Sequence, residues 1–524
     1  MRTRLPLLVI AAIVFVPALI AQTSPLTFVA GLTGANVAGS SGSANAFASA
    51  TLTISGSQGT LDVATIGLAN ITGVSLYQGA AGTNGPLIVT FTDVNHPFVN
   101  GRFHGTVTLD SGAVNAIPAN PQNYYLLITT SGFPVGAVRG QLAGANTTFL
   151  AGTISGASSL CNGGTGTPGG VGTFVFAMTP DPGGATYTVR YDIVTSGLGN
   201  TLSALQIGDA LAGPGLVTIG INVSGTGGRF TGTGQITAAR AALLQTLPAG
   251  IRFTVTTPDS GAACAAAGAI QTGRELFIPV AGSVRGVGNT NYQTDLNIMN
   301  NSAQGSTATA DVMLQFFPTG PGSAVAQSSA WATLSPRGMS IYRDVAANAF
   351  TGQINGIGAI RLVTAGNIFA NARIYNNLTA SGGGTFGQYV AGLPRSFALT
   401  EGTLLGLSNI VSGQSIGAPT TRTNVGFFNP SDTAIAAAFE LRDGNGTVIG
   451  TRTLTFAPWQ QIQIPLGGGN GLFTDINTDV SVASVYFLSG GPLFVYASII
   501  DNVTGDGSYA TPSTSSSGGT GPSS

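Results

Sequence analysis

Apolar and polar residues alternate with a period of two, or β-branched residues cluster, in short runs bounded by Gly, Pro, Asn and Asp: residues 50–54, 87–91, 186–193, 251–256, 435–441, 481–488 and 493–500. A period of two sends successive side chains to opposite faces, so each run predicts a strand. Asp443-Gly444-Asn445-Gly446, ahead of Thr447-Val448-Ile449, predicts a tight hairpin, because Gly and Asn reach the left-handed backbone region that such turns require. Helical spacing is nearly absent, and residues 238–245 are its best stretch. Many short strands separated by turn residues predict an all-β chain built from sandwiches.

Internal repeats set the number of sandwiches at four. Phe28-Val29-Ala30-Gly31 recurs as Phe149-Leu150-Ala151-Gly152, and Gly101-Arg102-Phe103 with Gly105-Thr106 recurs 127 residues later as Gly228-Arg229-Phe230 with Gly232-Thr233. In the C-terminal half, Tyr292-Gln293-Thr294-Asp295 parallels Thr421-Arg422-Thr423-Asn424, and Asn377-Leu378-Thr379 parallels Asn502-Val503-Thr504. The predicted organisation is two repeat pairs, 25–144 with 145–272 and 273–393 with 394–511. Ahead of them, Arg2 and Arg4, an apolar stretch over 5–20 and the small Ala21 have the form of a secretory signal peptide, 1–21, cleaved after Ala21. Residues 512–524, rich in Ser, Gly and Thr, have nothing to bury and predict a disordered tail.

Of the 524 residues, 43% are hydrophobic but only 7% are charged, against about 25% in ordinary soluble domains. All 18 cations are Arg, and cleavage after Ala21 leaves 16 of them against 19 acids. So little charge excludes a nucleic-acid binder, which needs a basic face to neutralise phosphates, and a long coiled coil. Two His and two Cys are too few for a multi-ligand metal site. Beyond the signal no apolar stretch reaches the roughly 18 residues that span a bilayer, so no transmembrane segment is expected in the mature chain.

Three segments then carry a resemblance. Gly101-Arg102-Phe103-His104-Gly105-Thr106, the strand Tyr124-Tyr125-Leu126-Leu127-Ile128-Thr129-Thr130, and Phe133-Pro134-Val135-Gly136-Ala137-Val138-Arg139-Gly140-Gln141-Leu142 together resemble the CHRD domain, with Asn84-Gly85-Pro86 as a further match. The resemblance covers the first unit. It implies an extracellular β module with Gly101, Arg102, Phe103, Gly105, Tyr125, Thr129, Arg139 and Gly140 as motif residues, and it supplies no enzymatic activity. Where family members carry a His-x-His stretch and a late-strand His, this chain has Ser75-Leu76-Tyr77 and Thr129. The second unit reads as a divergent copy ending in Ala266-Ala267-Gly268-Ala269-Ile270-Gln271, and the C-terminal pair is similar to immunoglobulin-like modules of secreted bacterial proteins.

Candidate chemistry is sparse. Cys161 and Cys264 both fall in the second unit, where they form a disulfide in an oxidising compartment or stand as two buried thiols. His96 and His104, near Asp93, read as a loop and a strand histidine rather than ligands, and the acids are spread singly, without the facing carboxylates of a glycosidase. Residues 501–508 alternate oxygen-bearing side chains as a calcium loop does but lack its closing Glu, so they read as a turn. Arg139, which the resemblance places in the last strand, reads as a structural cation able to pair with a buried acid such as Asp110 or Asp93, with ligand contact as the alternative.

The expectation is therefore a secreted, non-enzymatic protein of the cell surface or extracellular matrix, an adhesion or interaction module that binds protein or polysaccharide. A structural spacer or self-associating fibre is the alternative, and an extracellular hydrolase with an unrecognised site the lesser one. No catalytic residue, cofactor or metal ligand is assigned.

Overall fold

The computed structural model describes residues 26–514 apart from 93–96, 145–147, 159, 162–164, 182–185, 210–216, 247–250, 261–263, 286–289, 321–327, 351–355, 410–420, 432 and 477. The expected signal peptide, and the expected tail from residue 515 onward, lie outside the described residues.

The first unit contains β1 (Leu26–Thr33), β2 (Phe47–Ser55), β3 (Gln58–Ile66), β4 (Ile71–Gln78), β5 (Leu87–Thr90), β6 (Arg102–Thr108), β7 (Tyr124–Thr130), β8 (Phe133–Gln141) and β9 (Ala143–Gly144). They form one sheet in the order β5-β4-β7-β8-β1-β2-β3-β6, with β9 also on β1. Alternation decides which face turns inward: on β2, Ala48, Ala50, Leu52 and Ile54 are buried, while Ser49, Thr51 and Thr53 are only partly covered. Val74 and Leu76 near one end of the sheet and Phe103 at the other share a core with Leu52, Leu61 and Leu126. The sheet therefore folds over on itself, and each such Leu taken out of water contributes roughly 1.5–3 kcal/mol.

The second unit repeats this plan. Its strands β10 (Thr148–Ser155), β11 (Val171–Pro180), β12 (Thr186–Ser196), β13 (Thr201–Asp209), β14 (Val217–Ser224), β15 (Arg229–Thr237), β16 (Ile251–Thr256), β17 (Ala266–Ala269) and β18 (Gln271–Thr272) run β14-β13-β16-β17-β10-β11-β12-β15, the same order strand for strand. Each unit also carries a short helix at the equivalent place, α1 (Ser111–Ala119) and α2 (Ala238–Thr246). The sequence predicts α2 but not α1, whose Gly112 and Pro118 blur the periodicity. Asp110 starts α1 by accepting a hydrogen bond from the Ala113 N–H at 2.8 Å.

The third and fourth units share a different plan. The third contains β19 (Arg274–Arg285), β20 (Asn291–Asn300), β21 (Ala310–Pro318), β22 (Ser328–Leu334), β23 (Met339–Tyr342), β24 (Gly356–Thr364), β25 (Ile368–Asn377) and β26 (Thr385–Ala391), ordered β22-β21-β24-β19-β20-β25-β26 with β23 on β20. The fourth contains β27 (Leu399–Asn409), β28 (Thr421–Phe428), β29 (Ile435–Asp443), β30 (Val448–Phe456), β31 (Gln461–Pro465), β32 (Val480–Asp501) and β33 (Gly507–Ala510). The two runs 481–488 and 493–500, read as separate strands across Gly490-Gly491-Pro492, are one continuous strand. The first half of β32 pairs with β29 and β27, the second half with β28 and β33, so it passes from one sheet of the sandwich to the other. Ser513, which composition places in the tail, exchanges two backbone hydrogen bonds with Thr403.

The units dock in matching pairs. Phe47 and Ile66 of the first meet Ala438 and Leu488 of the fourth, while Ala151 and Val175 of the second meet Met313 and Val363 of the third. Ala438 and Leu488 each lie 125 residues beyond Met313 and Val363, so the third and fourth units use the same repeat positions at the two seams. Gly31 and Gly490 cross so closely that a Cβ on residue 490 would sit 2.3 Å from the Gly31 Cα. A cluster of Phe277, Phe317, Phe428, Trp459 and Phe494 with Ala177 joins the second, third and fourth units.

Candidate functional site

One half of the first unit's motif fastens the loop between β4 and β5. Arg139 on β8, 1% exposed, lays its guanidinium 3.5 Å from the centre of the Tyr125 ring on β7, and Tyr77 on β4 stacks on that ring with centroids 5.2 Å apart. Arg139 donates to the Ala80 carbonyl at 2.8 Å, to Gln141 Oε1 at 3.1 Å and to Asn84 Oδ1 at 3.4 Å. Gln141 Nε2 in turn donates to the Gly79 and Gln122 carbonyls. The expected ion pair is corrected by this geometry: Asp110 caps α1, Asp93 lies outside the described residues, and Arg139 is satisfied by a π face and neutral oxygens instead. Burial lowers the Arg139 pKa, partly offset by Tyr125. Gly140 lies opposite Leu126. The Thr129 hydroxyl pairs with that of Thr72 at 2.9 Å and the Ser75 hydroxyl with that of Thr90 at 3.0 Å, so hydroxyl pairs occupy positions where the family resemblance implies imidazoles.

The other half of the motif faces the fourth unit. Gly101, at φ +73°, turns the chain into β6, Phe103 points into the core, and Gly105 lies opposite Leu61. Arg102 forms a two-pronged pair with Glu401 on β27, and the Tyr486 hydroxyl donates to the same carboxylate at 3.0 Å. Its repeat equivalent, Arg229, grips Asp192 with contacts of 3.2 and 3.0 Å, and Asp192 accepts from Gln315 of the third unit at 2.8 Å. Gln315 accepts from Arg361, and Arg361 and Arg395 both hold Glu275. Burial alone would push the Glu275 carboxyl up, but the two guanidinium groups outweigh it and hold the pKa below the ordinary value. The equivalent motif arginines thus stand at equivalent seams.

His104 Nδ1 lies 2.7 Å from Asp62 Oδ1, with both side chains largely exposed, beside a cleft of about 550 Å³ between the first and fourth units. In the cross-strand row Thr51, Asp62, His104 the acid stands between hydroxyl and imidazole, the wrong order for a nucleophile and its base. His96 lies outside the described residues. Cys161, in the loop after β10, and Cys264, just before β17, form a disulfide with Cα atoms 5.4 Å apart. In residues 501–508, Asp501 Oδ1 accepts from the Thr504 N–H and hydroxyl and from the Val503 N–H, the pattern of a turn, and the bonds from Thr504 lead in holding its pKa low. No group of three His, Cys, Asp or Glu able to hold a metal occurs among the described residues.

A further surface, bearing exposed rings and amides, is the outer face of β23, β20, β25 and β26. Directly paired residues of antiparallel strands share a face, so register assembles it. Met339, Met299 and Phe369 form one row, Ile341, Asn297, Asn371 and Ala391 the next, and Arg373 with Tyr389 lies beyond. Phe369 is 60% and Tyr389 62% exposed, as is Met339 at 61%. Four residues of offset along the strand and one strand across separate Phe369 and Tyr389 by roughly 14 Å. Between them the Asn297 amide donates to Asn371 Oδ1 at 2.8 Å, leaving each amide further donor or acceptor capacity. Sequence alternation is consistent with an outward face for each of these residues, but only strand register makes them neighbours, so the sequence by itself does not mark them as a site.

The fold and these contacts define an all-β chain of four docked units whose first is pinned by a Tyr–Arg stack. The CHRD domain family matches residues 28–142, from β1 to the residue after β8, and CHRD domains are typically extracellular. No curated protein matches the chain.

Proposed function

We propose that this chain is a secreted, non-enzymatic interaction protein of the cell surface or extracellular matrix that binds polysaccharide through the outer face of β20, β23, β25 and β26. One observation carries the reading: two exposed aromatic rings about 14 Å apart flank a row of paired amides, with apolar Met and Ile side chains beside them. Rings cover the apolar faces of sugars, and amides bond their hydroxyls. The scarcity of charge favours a neutral chain over a polyanion. The signal-like N-terminus supports export, and the shared strand order supports reading the second unit as a divergent CHRD-like copy and the C-terminal pair as immunoglobulin-like modules. The two arginines of the repeat motif stand at the seams between units, which suits a scaffold better than a hydrolase.

The test is retention of the purified chain on immobilised neutral polysaccharides: cellulose, xylan, chitin and dextran. Retention on at least one, lost in the Phe369→Ala/Tyr389→Ala double variant, is expected; equal retention of the variant overturns the assignment of the face. Self-association is the second reading, favoured by the same exposed Met339, Ile341 and Phe369, and sedimentation velocity showing dimers abolished by F369A would select it.

A further inference from the structure

A cavity of about 420 Å³ lies between the third and fourth units, in the size range of small-molecule sites. Its walls are mostly apolar, with Val280, Ile357, Ile374, Phe386, Pro465 and Ile500. Two cations, Arg285 and Arg422, also line it, and no Asp or Glu does. Arg102, Arg229, Arg343, Arg361, Arg395 and Arg442 each meet a carboxylate, whereas Arg422 donates from Nη1 to the neutral Asn502 Oδ1 at 2.7 Å. The enclosed Tyr292 hydroxyl lies within electrostatic reach of Arg422; burial raises its pKa and Arg422 works against that rise, so it stays a protonated donor at neutral pH.

From the charge and lining of this cavity we infer a binding site for a small amphipathic carboxylate: Arg422 and the Tyr292 hydroxyl take the carboxylate, and the apolar walls take a hydrocarbon body. An arginine fork matches a carboxylate in two-pronged geometry, and an excess of positive charge in a largely apolar cavity selects an anion over its neutral analogue. The site is formed by β19, β20, β24, β25 and β26 of the third unit with β28, β31, β32 and β33 of the fourth, so a bound ligand would also hold the two units together.

Isothermal titration of the full chain with decanoate, 1-decanol and decyltrimethylammonium tests the assignment. Decanoate is expected to bind roughly tenfold or more tightly than decanol, with the cation not binding. Arg422→Gln should weaken decanoate by about the same factor, Arg422→Lys should restore part of it, and Tyr292→Phe should cost a few-fold. Thermal melting of each variant identifies any that fails to fold, and Arg285→Gln at the exposed rim supplies a variant without the Asn502 contact. No decanoate binding, equal affinity for decanoate and decanol, or full affinity in folded Arg422→Gln and Arg285→Gln would each overturn the inference.

Discussion

Arg139 and Glu275 show how a chain with few charges uses those it keeps in its interior. Arg139 needs no acid because a ring face and neutral oxygens meet its guanidinium. Arg139→Met keeps most of the bulk but leaves the Ala80 and Asn84 acceptors without their donor, and it should lower stability by about 2–4 kcal/mol, read as a shift in the denaturant midpoint. Arg139→Lys should recover little, since an ammonium lacks the planar fork. Glu275 carries a pH signature. Its folded pKa is depressed, so its contribution is fully present above the unfolded value of about 4.3 and is lost as pH falls through the folded value. Thermal melts should therefore show Glu275→Gln clearly less stable than the parent at neutral pH, with the gap closing in acid. A constant gap at every pH would mean that the carboxylate is not held this way.

At the scale of elements, strands were legible wherever one face is buried and the other wet. The 186–193, 251–256 and 435–441 runs fall in β12, β16 and β29, and the Asp443–Gly446 turn forms, with Asp443 accepting from the Asn445 and Thr447 N–H groups. Three features were not legible. Gly490-Gly491-Pro492 looks like a turn, but its glycine serves the crossing with Gly31 inside a strand, a tertiary reason that no local pattern carries. Helix α1, no shorter than α2, carries Gly112 and Pro118, which hide its period. The outer face of the third unit depends on register between strands that alternation alone cannot pair. The crossing gives a direct prediction: Gly490→Val should part the first and fourth units, enlarging the radius of gyration in solution scattering while far-UV circular dichroism stays β. The disulfide gives another. Cys161→Ser/Cys264→Ser frees a loop of about 100 residues and should cost roughly 2–5 kcal/mol, seen as one unfolding transition moving down while the others stay.

For the whole molecule, the two seams are the main finding. Repeat-equivalent apolar positions of the fourth and third units meet the first and second, and the repeat-equivalent arginines stand at those seams, Arg102 reaching Glu401 directly and Arg229 holding Asp192, to which Gln315 of the third unit donates. Such an assembly holds the outer face of the third unit in a fixed place, as the proposed binding of an extended polymer requires. The proposed binding there rests on rings and amides rather than on ion pairs, in keeping with a chain of 7% charged residues. The most direct measurement is affinity electrophoresis through gels containing the retained neutral polysaccharide, run at about 50 mM and about 500 mM salt. The account predicts that the parent chain is slowed equally at both and that Phe369→Ala/Tyr389→Ala migrates as in a plain gel. Retardation that vanishes at high salt, or that survives the double substitution, would contradict it.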